Sequence, residues 1–296
     1  MHSKIAAIIT SYKPDAGFAG RFVPLLSVCR SIVVIDNTPG GHKTFDLPDK
    51  FTIIHNQQNL GLAPALNAGI SEVRRQGIKY AILFDQDSTP SPEFVSSMLL
   101  QLERAVAVNG ELCCIGPTHV DDAAKTARPD STSIQKMPPP GARWGDVTCL
   151  PTSGMTFRVD LLGGEDQFSD EFFLDLVDFE WCWRLRSRGW RFLRLSDVKM
   201  FHRLGVEERN FLGITFHVPA PYRHYFQVRD SLRLVFKPYV PTYSKLRLIG
   251  ILPLKLLVYP FILDRGLERL CWMALGVRDS LRGIHGIGAA SARLSK

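Results

Sequence analysis

The sequence is poor in features that mark several common protein classes. Its 296 residues include only six cysteines, and none stands in a C-x-x-C or Cys/His spacing. They are Cys29, Cys113, Cys114, Cys149, Cys182 and Cys271. The spacing predicts neither a zinc site nor a disulfide framework, and a reducing cytoplasm fits this cysteine content.

Phosphate-binding glycine loops are missing as well. The chain contains no G-x-x-x-x-G-K-[ST] and no G-x-G-x-x-G. These absences count against a P-loop NTPase and against an ordinary NAD enzyme.

No apolar run is long enough to predict a membrane span. Ile5–Ile9 is too short for the core of a signal peptide and reads as a first strand. The run Ile249–Leu263 has fifteen residues and includes Lys255 and two prolines, whereas a spanning helix needs about 20 apolar residues. We therefore predict an amphipathic segment that lies at a membrane surface; a helical subdomain that packs on the core or on a partner is the alternative.

Acidic residues are scarce in the C-terminal part. Residues 1–183 carry 15 Lys and Arg against 22 Asp and Glu, and residues 184–296 carry 21 against 7, so the net charge of +7 divides into −7 and +14. A basic surface of this size favours an anionic partner, which is a diphosphate, a nucleic acid or an anionic lipid.

The first third of the chain alternates apolar, β-rich runs with helical or polar segments. The runs are residues 5–9, 31–36, 51–55 and 80–85. Residues 63–76 have helical spacing and stop at Gly77. This order predicts an α/β fold, a mostly parallel Rossmann-like sheet with flanking helices.

Three of these runs end in polar residues or lead directly into them. They are Thr10-Ser11-Tyr12, Asp36-Asn37 and Asp85-Gln86-Asp87. Because open α/β sheets bind ligands at the carboxyl ends of their strands, we expect these side chains to converge. Two carboxylates one residue apart, Asp85 and Asp87, are suited to a hard cation such as Mg²⁺, although Asp-x-Asp is also frequent in ordinary turns.

The remaining chain divides into a loop, a helix, a strand and a basic tail. Residues 121–141 end in Pro-Pro-Pro-Gly and predict a loop; residues 172–188 predict a helix, and residues 190–195 a strand. We predict two domains: a catalytic domain over 1–240 and a basic, amphipathic helical region over 241–296.

Six motifs stand in an order typical of one enzyme family. They are IITSYKPD ending at Asp15, VVIDN (33–37), NLGLAPALNAGI (59–70), FDQDS (84–88), FFLDLVDFEWCWR (172–184) and FHRLG (201–205). Together they resemble the inverting family 2 glycosyltransferases of GT-A fold, over roughly residues 4–240. The N-x-G-x-x-x-A-x-N-x-G pattern with D-Q-D-S is similar to bacterial rhamnosyltransferases of O-antigen and related polysaccharide assembly.

The strand-end residues suit a nucleotide-sugar donor. Thr10 and Tyr12 are candidates to hold the base, and Asp36 to accept the N3–H of uracil or thymine; loop packing and an Asx turn are the alternatives. The resemblance implies that Asp85 contacts the ribose or a metal, that Asp87 binds Mg²⁺ or Mn²⁺, and that His202 completes the metal or diphosphate shell.

Five further residues are candidates for donor contacts. Asn59 caps a helix or binds donor, Gly61 permits close backbone approach, and Asn67 contacts the nucleotide or serves helix packing. Arg223 and Arg229, in a segment similar to the rhamnosyltransferase R-x-Y-Y-x-x-R-N, are candidates to clamp a diphosphate; otherwise they solvate a helix.

Asp178 matches the catalytic base of the family. Its aromatic neighbours would desolvate the carboxylate and raise its pKa. Its rivals are Asp175, which lies three residues earlier on the predicted helix, and Glu180. The family more often has Glu-Asp where this chain has Val177-Asp178.

These observations predict a cytoplasmic enzyme held peripherally at the inner face of the plasma membrane. It would move L-rhamnose from dTDP-L-rhamnose onto a saccharide linked to polyprenyl diphosphate, by a metal-assisted single displacement. The alternatives are the same fold with UDP-galactofuranose or UDP-glucose as donor, and a non-catalytic scaffold that binds nucleotide sugars. Nucleic-acid binding by the arginines and tryptophans near residues 181–194 is a distant third, and a homo-oligomer stays open.

Overall fold

The computed structural model describes residues 4–41, 47–121, 144–202, 207–211 and 214–291. Contacts between Cα atoms divide the chain into two compact units. The first comprises Met1–Phe168 with Trp181–Arg203, and the second Ser169–Glu180 with Leu204–Lys296.

An eight-stranded sheet forms the centre of the first unit. Its strands are β1 Ile5–Ser11, β2 Ser31–Asp36, β3 Phe51–His55, β4 Tyr80–Asp85, β5 Cys113–Asp121, β6 Trp144–Val147, β7 Thr156–Arg158 and β8 Arg191–His202. The order is β3-β2-β1-β4-β7-β5-β8-β6. The strands β1 to β4 are mutually parallel, β7 is antiparallel to both its neighbours, and β6 is antiparallel to β8. The four predicted strands and the α/β class are confirmed.

The helices of this unit follow local sequence signals. They are α1 Phe18–Phe22, α2 Leu62–Arg75, α3 Pro92–Asn109 and most of α4 Val177–Ser187. Helix α2 ends before Gly77, which has a φ of 67°. Ser91 caps the start of α3, and its side chain accepts the N–H of Phe94 at 3.2 Å. The predicted helix over 63–76 is thereby confirmed to within a residue at each end.

Helix α2 packs closely on β1. Gly69 faces this strand, and a Cβ there would overlap Ile8 Cγ2. Every side chain of β1 from Ile5 to Ile9 is buried, as expected of a strand inside a sheet covered on both faces.

The second unit is mainly helical. It contains the hairpin β9 Glu207–Phe211 and β10 Ile214–Val218, and the helices α5 Arg223–Phe236, α6 Thr242–Ile262 and α7 Gly266–Leu281. Tyr225, Phe226 and Trp272 form one small core, and Val228, Leu252 and Met273 form another. Short 3₁₀ turns in the two units lie at Val23–Ser27, Val159–Leu161, Gly164–Asp166 and Gly288–Ala290.

None of the described helices is long and apolar enough to cross a membrane.

One predicted helix begins later than expected, and one predicted loop lies outside the described residues. The predicted helix over 172–188 begins only at Val177, because Leu176 adopts a φ of 65° and Phe173 leaves the helical path to stack on Phe226, with ring centroids 4.9 Å apart. The predicted loop over 121–141 lies, apart from Asp121, outside the described residues.

Candidate active site

The polar ends of the first strands converge at one edge of the sheet. In the register, Thr10 of β1 pairs with Asp85 of β4, and Ser11 of β1 pairs with Asp36 of β2. Asp36 in turn pairs with His55 at the end of β3. The carboxyl edge of four strands therefore carries hydroxyl, imidazole and carboxylate groups side by side. The sequence predicted this convergence for the ends of β1, β2 and β4 but did not include His55 of β3.

Asp36 is the most enclosed of these side chains. It is fully buried, and its Oδ1 accepts the Thr38 N–H at 3.0 Å and the Ser11 hydroxyl at 3.4 Å. His55 Nδ1 lies 3.0 Å from Asp36 Oδ2. Neighbouring protein groups thus hold the carboxylate in a fixed orientation at the strand end.

The Asp85-Gln86-Asp87 segment makes a turn directly after β4. The Ser88 N–H donates to the Asp85 carbonyl at 3.0 Å. Asp85 is half-buried and Asp87 is exposed. Carboxylate oxygens that solvent reaches at a strand end are suitable ligands for a hard divalent ion. Within the described parts of the chain, no three His, Cys, Asp or Glu side chains are grouped as a ready metal site.

Gln86 ties this turn to its surroundings. Its Oε1 accepts the Tyr12 N–H at 2.6 Å, and its carbonyl accepts Arg21 Nε at 3.0 Å. Arg21 also pairs with Asp15 at 2.9 Å. The two turns that carry Tyr12 and Asp87 are therefore joined by a side chain.

A second group of amides holds the loop before α2. Asn37 Nδ2 donates to the Gly61 carbonyl at 2.9 Å, and Asn56 Nδ2 donates to Asn37 Oδ1 at 2.7 Å. Asn59 Oδ1 accepts the Gly61 N–H at 3.0 Å. Gly61 has a φ of 93°, a backbone conformation that favours glycine. Asn59 and Gly61 thus shape the loop next to β2.

Asn67 is used inside the protein. Its side chain donates to the Phe168 carbonyl and accepts the Phe168 N–H, both at 2.8 Å. Phe168 itself stacks on Trp181 with ring centroids 4.5 Å apart. Both hydrogen-bonding groups of the amide are engaged, so the structure supports the packing role of Asn67 over a nucleotide contact.

The segment that carries Asp178 belongs to the second unit. Asp178 is half-buried in the first turn of α4, and its Oδ1 accepts the Phe179 N–H at 2.9 Å. Asp175 precedes the helix instead of lying one turn back on it, and it forms an ion pair with Arg223 at 2.6 Å. Glu180 is buried and accepts the Tyr239 hydroxyl at 2.7 Å. Both rival carboxylates are thus committed to structural contacts.

Arg229 lies in the interior of the helical unit. Its guanidinium makes a bidentate pair with Asp230 at 2.7 and 3.0 Å, and both side chains are fully buried. Its Nη1 donates to the Gly286 carbonyl. Burial raises the pKa of Asp230 above its usual range, against the opposing effect of Arg229. This placement argues against the predicted diphosphate contact, whereas Arg223 keeps about a third of its side chain exposed.

The arginines after Asp178 are also largely paired. Arg186 and Arg191 contact Asp146 at 2.6 and 3.1 Å, and Arg188 contacts Asp166 at 2.8 Å. Arg184 donates to the carbonyls of residues 165 and 167. These contacts account for most of the basic cluster without nucleic acid. His202 is the last residue of β8, and its side chain lies outside the described part.

Comparisons with known proteins agree with this geometry. The profile of glycosyl transferase family 2 matches residues 34–137, which include Asp36 and the Asp85–Asp87 turn. A full-length relative, the dTDP-rhamnosyl transferase RfbF of Shigella flexneri, is 26% identical over 309 aligned positions that cover 99% of this chain and 100% of the relative. The chain is a glycosyltransferase, and its residues 34–137 match the family 2 profile.

Solved structures support the fold of this glycosyltransferase. S. aureus TarS (residues 1–349) aligns with a TM-score of 0.52 at 11% identity, over 95% of this chain and 83% of that one. GalNAc-T7, solved with UDP, GalNAc and Mn²⁺, gives the same score and identity over 83% of this chain; the alignment spans 54% of the GalNAc-T7 chain.

Three contributors were missed as site residues by sequence reasoning. His55, Gln86 and Asn56 hold Asp36, Tyr12 and Asn37 respectively. His55 ends an apolar strand just as Asp36 and Asp85 do, so the strand-end rule that found the aspartates would also have found it. The roles of Gln86 and Asn56 depend on partners from other strands and left no local signal.

Proposed function

We propose that this glycosyltransferase transfers L-rhamnose from dTDP-L-rhamnose to a saccharide carried on a polyprenyl diphosphate, with inversion at the anomeric carbon. The full-length similarity to a dTDP-rhamnosyl transferase supports the donor. The observation that carries the proposal of a nucleotide donor is the register that pairs Thr10 with Asp85 and Ser11 with Asp36 at the carboxyl edge of the sheet, where α/β folds bind nucleotides.

In this proposal the strand ends bind the nucleotide. Asp36 accepts the N3–H of thymine once nucleoside binding exposes its carboxylate, which in this structure is buried and bonded to Thr38, Ser11 and His55. Thr10 and Tyr12 hold the base and the sugar next to it. Asn59 and Gly61 shape the backbone that borders the donor, and Asp85 contacts the ribose or the metal.

A divalent metal is part of the proposal. Asp87 would hold Mg²⁺ or Mn²⁺ with Asp85, since two carboxylates at a strand end are the oxygen donors that these ions prefer; His202 is proposed to complete the shell. The ion would neutralise charge on the leaving diphosphate. Chelation by EDTA is expected to abolish transfer, and transfer that persists unchanged in EDTA would remove the metal role of Asp87.

Asp178 is the proposed general base. It takes the proton of the acceptor hydroxyl as that oxygen bonds to the anomeric carbon and the bond from that carbon to the dTDP oxygen breaks. Its position in the first helical turn leaves it half-buried, while Asp175 and Glu180 are held by Arg223 and Tyr239. Arg223 is the cation proposed to meet a diphosphate of donor or acceptor.

The deciding experiment compares Asp178→Asn with Asp49→Asn, an exposed carboxylate in the segment before β3. We expect Asp178→Asn to lower kcat by about 10²–10⁴-fold, which is the usual contribution of a general base, with little change in donor affinity. Near wild-type transfer by Asp178→Asn would show that the base is another residue.

A second experiment identifies the donor. Wild-type enzyme is supplied with dTDP-L-rhamnose, UDP-galactofuranose or UDP-glucose, and the products are analysed by mass spectrometry. If the wild type neither transfers nor hydrolyses any donor, a nucleotide-sugar-binding scaffold is the better account.

We also propose peripheral contact with anionic membrane through α6. Its large exposed apolar side chains lie on one side of the helix: Tyr243, Leu246, Ile249, Leu257 and Phe261. The last four follow Tyr243 by 3, 6, 14 and 18 positions, which places all five side chains within about a third of the helix circumference. None of the exposed side chains described for α6 is charged.

The positive charge around α6 favours an anionic lipid surface over a second copy of this chain as its binding partner. Residues 231–263 contain five Lys or Arg and no Asp or Glu. Two of the cations, Lys245 and Arg247, flank the apolar face of α6 and are half-buried, whereas Lys255 donates to Gln227 on α5 at 3.2 Å. Long cationic side chains can extend toward headgroups while the apolar face enters the interface. A second copy would bring the same positive charge.

Vesicle flotation tests the membrane contact. Full-length protein is expected to float with phosphatidylglycerol vesicles and much less with phosphatidylcholine. Leu257→Glu/Phe261→Glu should abolish flotation, whereas Val108→Glu on α3, which replaces an equally exposed apolar residue, should not. Flotation that survives the double substitution, or a stable dimer in the absence of vesicles, would contradict a lipid-facing α6.

A further inference from the structure

The turn after β1 is held from two neighbouring strands. The Tyr12 N–H donates to Gln86 Oε1 at 2.6 Å, and the Lys13 N–H donates to Thr38 Oγ1 at 2.8 Å. Lys13 has a φ of 48°, in the left-handed region that a lysine seldom occupies. Such a conformation persists only where its surroundings hold it, and here the holding groups are the side chains of Gln86 and Thr38.

The main chain of Gln86 is held in turn by the Arg21 side chain. The Gln86 carbonyl accepts Arg21 Nε at 3.0 Å, and the two neighbours of Gln86 in sequence are Asp85 and Asp87. The residue between the two carboxylates therefore points its amide oxygen to the adjacent strand end, where Thr10 and Asp85 are in register. An alanine there would keep both carboxylates and would release Tyr12.

We infer that Gln86 is a positioning residue that couples the carboxylate turn after β4 to the nucleoside-binding turn after β1. The inference rests on the proposed function, which places the base at Tyr12 and a divalent ion at Asp85 and Asp87. An ion that orders the carboxylate turn also orders Tyr12 through the Gln86 side chain. By linkage, a bound nucleoside strengthens ion binding by the same factor.

Thymidine is the probe that isolates this coupling. It has no phosphate for an ion to contact, so an effect of Mg²⁺ on its affinity is transmitted by the protein. Thymidine binding is measured by NMR saturation transfer, in EDTA and at saturating Mg²⁺, which is diamagnetic. We expect the ion to tighten binding about tenfold in the wild type and less than twofold in Gln86→Met, which keeps side-chain length and removes the acceptor.

Two variants separate coupling from general damage. Gln86→Glu keeps an oxygen acceptor for the Tyr12 N–H and should retain the coupling. Gln76→Ala removes a glutamine that donates to Thr52 Oγ1, near the opposite end of the sheet, and should behave as wild type. If Gln86→Met is unstable, Gln86→Ala replaces it, and unfolding curves confirm that the protein compared is folded.

Two results would overturn the inference. One is a folded Gln86→Met whose thymidine affinity still rises tenfold with the ion. The other is a wild type that transfers rhamnose yet binds thymidine equally with and without the ion. If the wild type transfers no sugar, the proposed function is wrong. Even then, the positioning of Tyr12 by Gln86 would be supported if, in EDTA, Gln86→Met bound thymidine more weakly than the wild type while the other variants did not.

Discussion

Replacing Arg229 by methionine separates a structural arginine from a ligand-binding one. Arg229 and Asp230 are fully buried and doubly hydrogen-bonded, so the substitution leaves Asp230 buried without its main partner. Loss of one partner of a buried ion pair typically costs about 3–5 kcal/mol. Arg233, whose Nη1 lies 3.8 Å from the same carboxylate, offsets part of that loss, so we expect about 3 kcal/mol at pH 7.

Protonation of Asp230 limits this cost and makes it depend on pH. The usual pKa of an aspartate carboxyl is 3.8, and each pH unit above it adds about 1.4 kcal/mol to the free energy of protonating the group. Protonation therefore costs about 4.4 kcal/mol at pH 7 and about 1.6 kcal/mol at pH 5. The deficit of Arg229→Met relative to wild type should therefore shrink on going from pH 7 to pH 5. Arg229→Met/Asp230→Leu, which removes both charges, should recover most of the stability at either pH.

Urea unfolding and donor kinetics together test this account. We expect Arg229→Met to unfold at a lower urea concentration, with the donor KM nearly unchanged. Arg223 forms a partly exposed ion pair, so Arg223→Met should lose under about 1 kcal/mol of unfolding free energy and raise the KM for donor or acceptor. Wild-type stability in Arg229→Met combined with a tenfold higher donor KM would show that Arg229 binds the diphosphate and would refute the structural assignment.

Three further substitutions follow from the packing. Asn67→Ala removes both bonds to Phe168 and should cost about 1–3 kcal/mol in urea unfolding without changing donor affinity; a selective loss of affinity would restore the nucleotide role. Gly69→Ala introduces a Cβ against Ile8 and should cost about 1–3 kcal/mol, and a thermal melt equal to wild type would contradict the close approach. Burial, with nearby cations, lowers the pKa of His224 from 6.5 to about 3. The stability that neutral His224 contributes is therefore present above pH 6.5 and is lost as pH falls toward 3, by about 1.4 kcal/mol per unit; His224→Phe should remove that slope, and an unchanged slope would exclude His224 as its source.

Local sequence was sufficient for most of the sheet. The runs at 5–9, 31–36, 51–55 and 80–85 are apolar, short and followed by polar residues, and all four became strands within two residues of their expected ends. Helix α2 was also predicted correctly, because its apolar spacing and terminal glycine act within a few residues. The helix over 172–188 was predicted too long, since a tertiary ring contact of Phe173 competes with helical propensity.

The sequence by itself determined which residues stand at the strand ends, and with them the resemblance to family 2 glycosyltransferases and the candidate carboxylates Asp36, Asp85 and Asp87. Only the tertiary structure decided which charged groups remain available for chemistry. Arg229 looked as suitable as Arg223 until Asp230 and the distant Gly286 carbonyl were seen to enclose it. The reason is that strand formation depends on neighbours along the chain, whereas burial and pairing of a charge depend on residues that folding brings from far away.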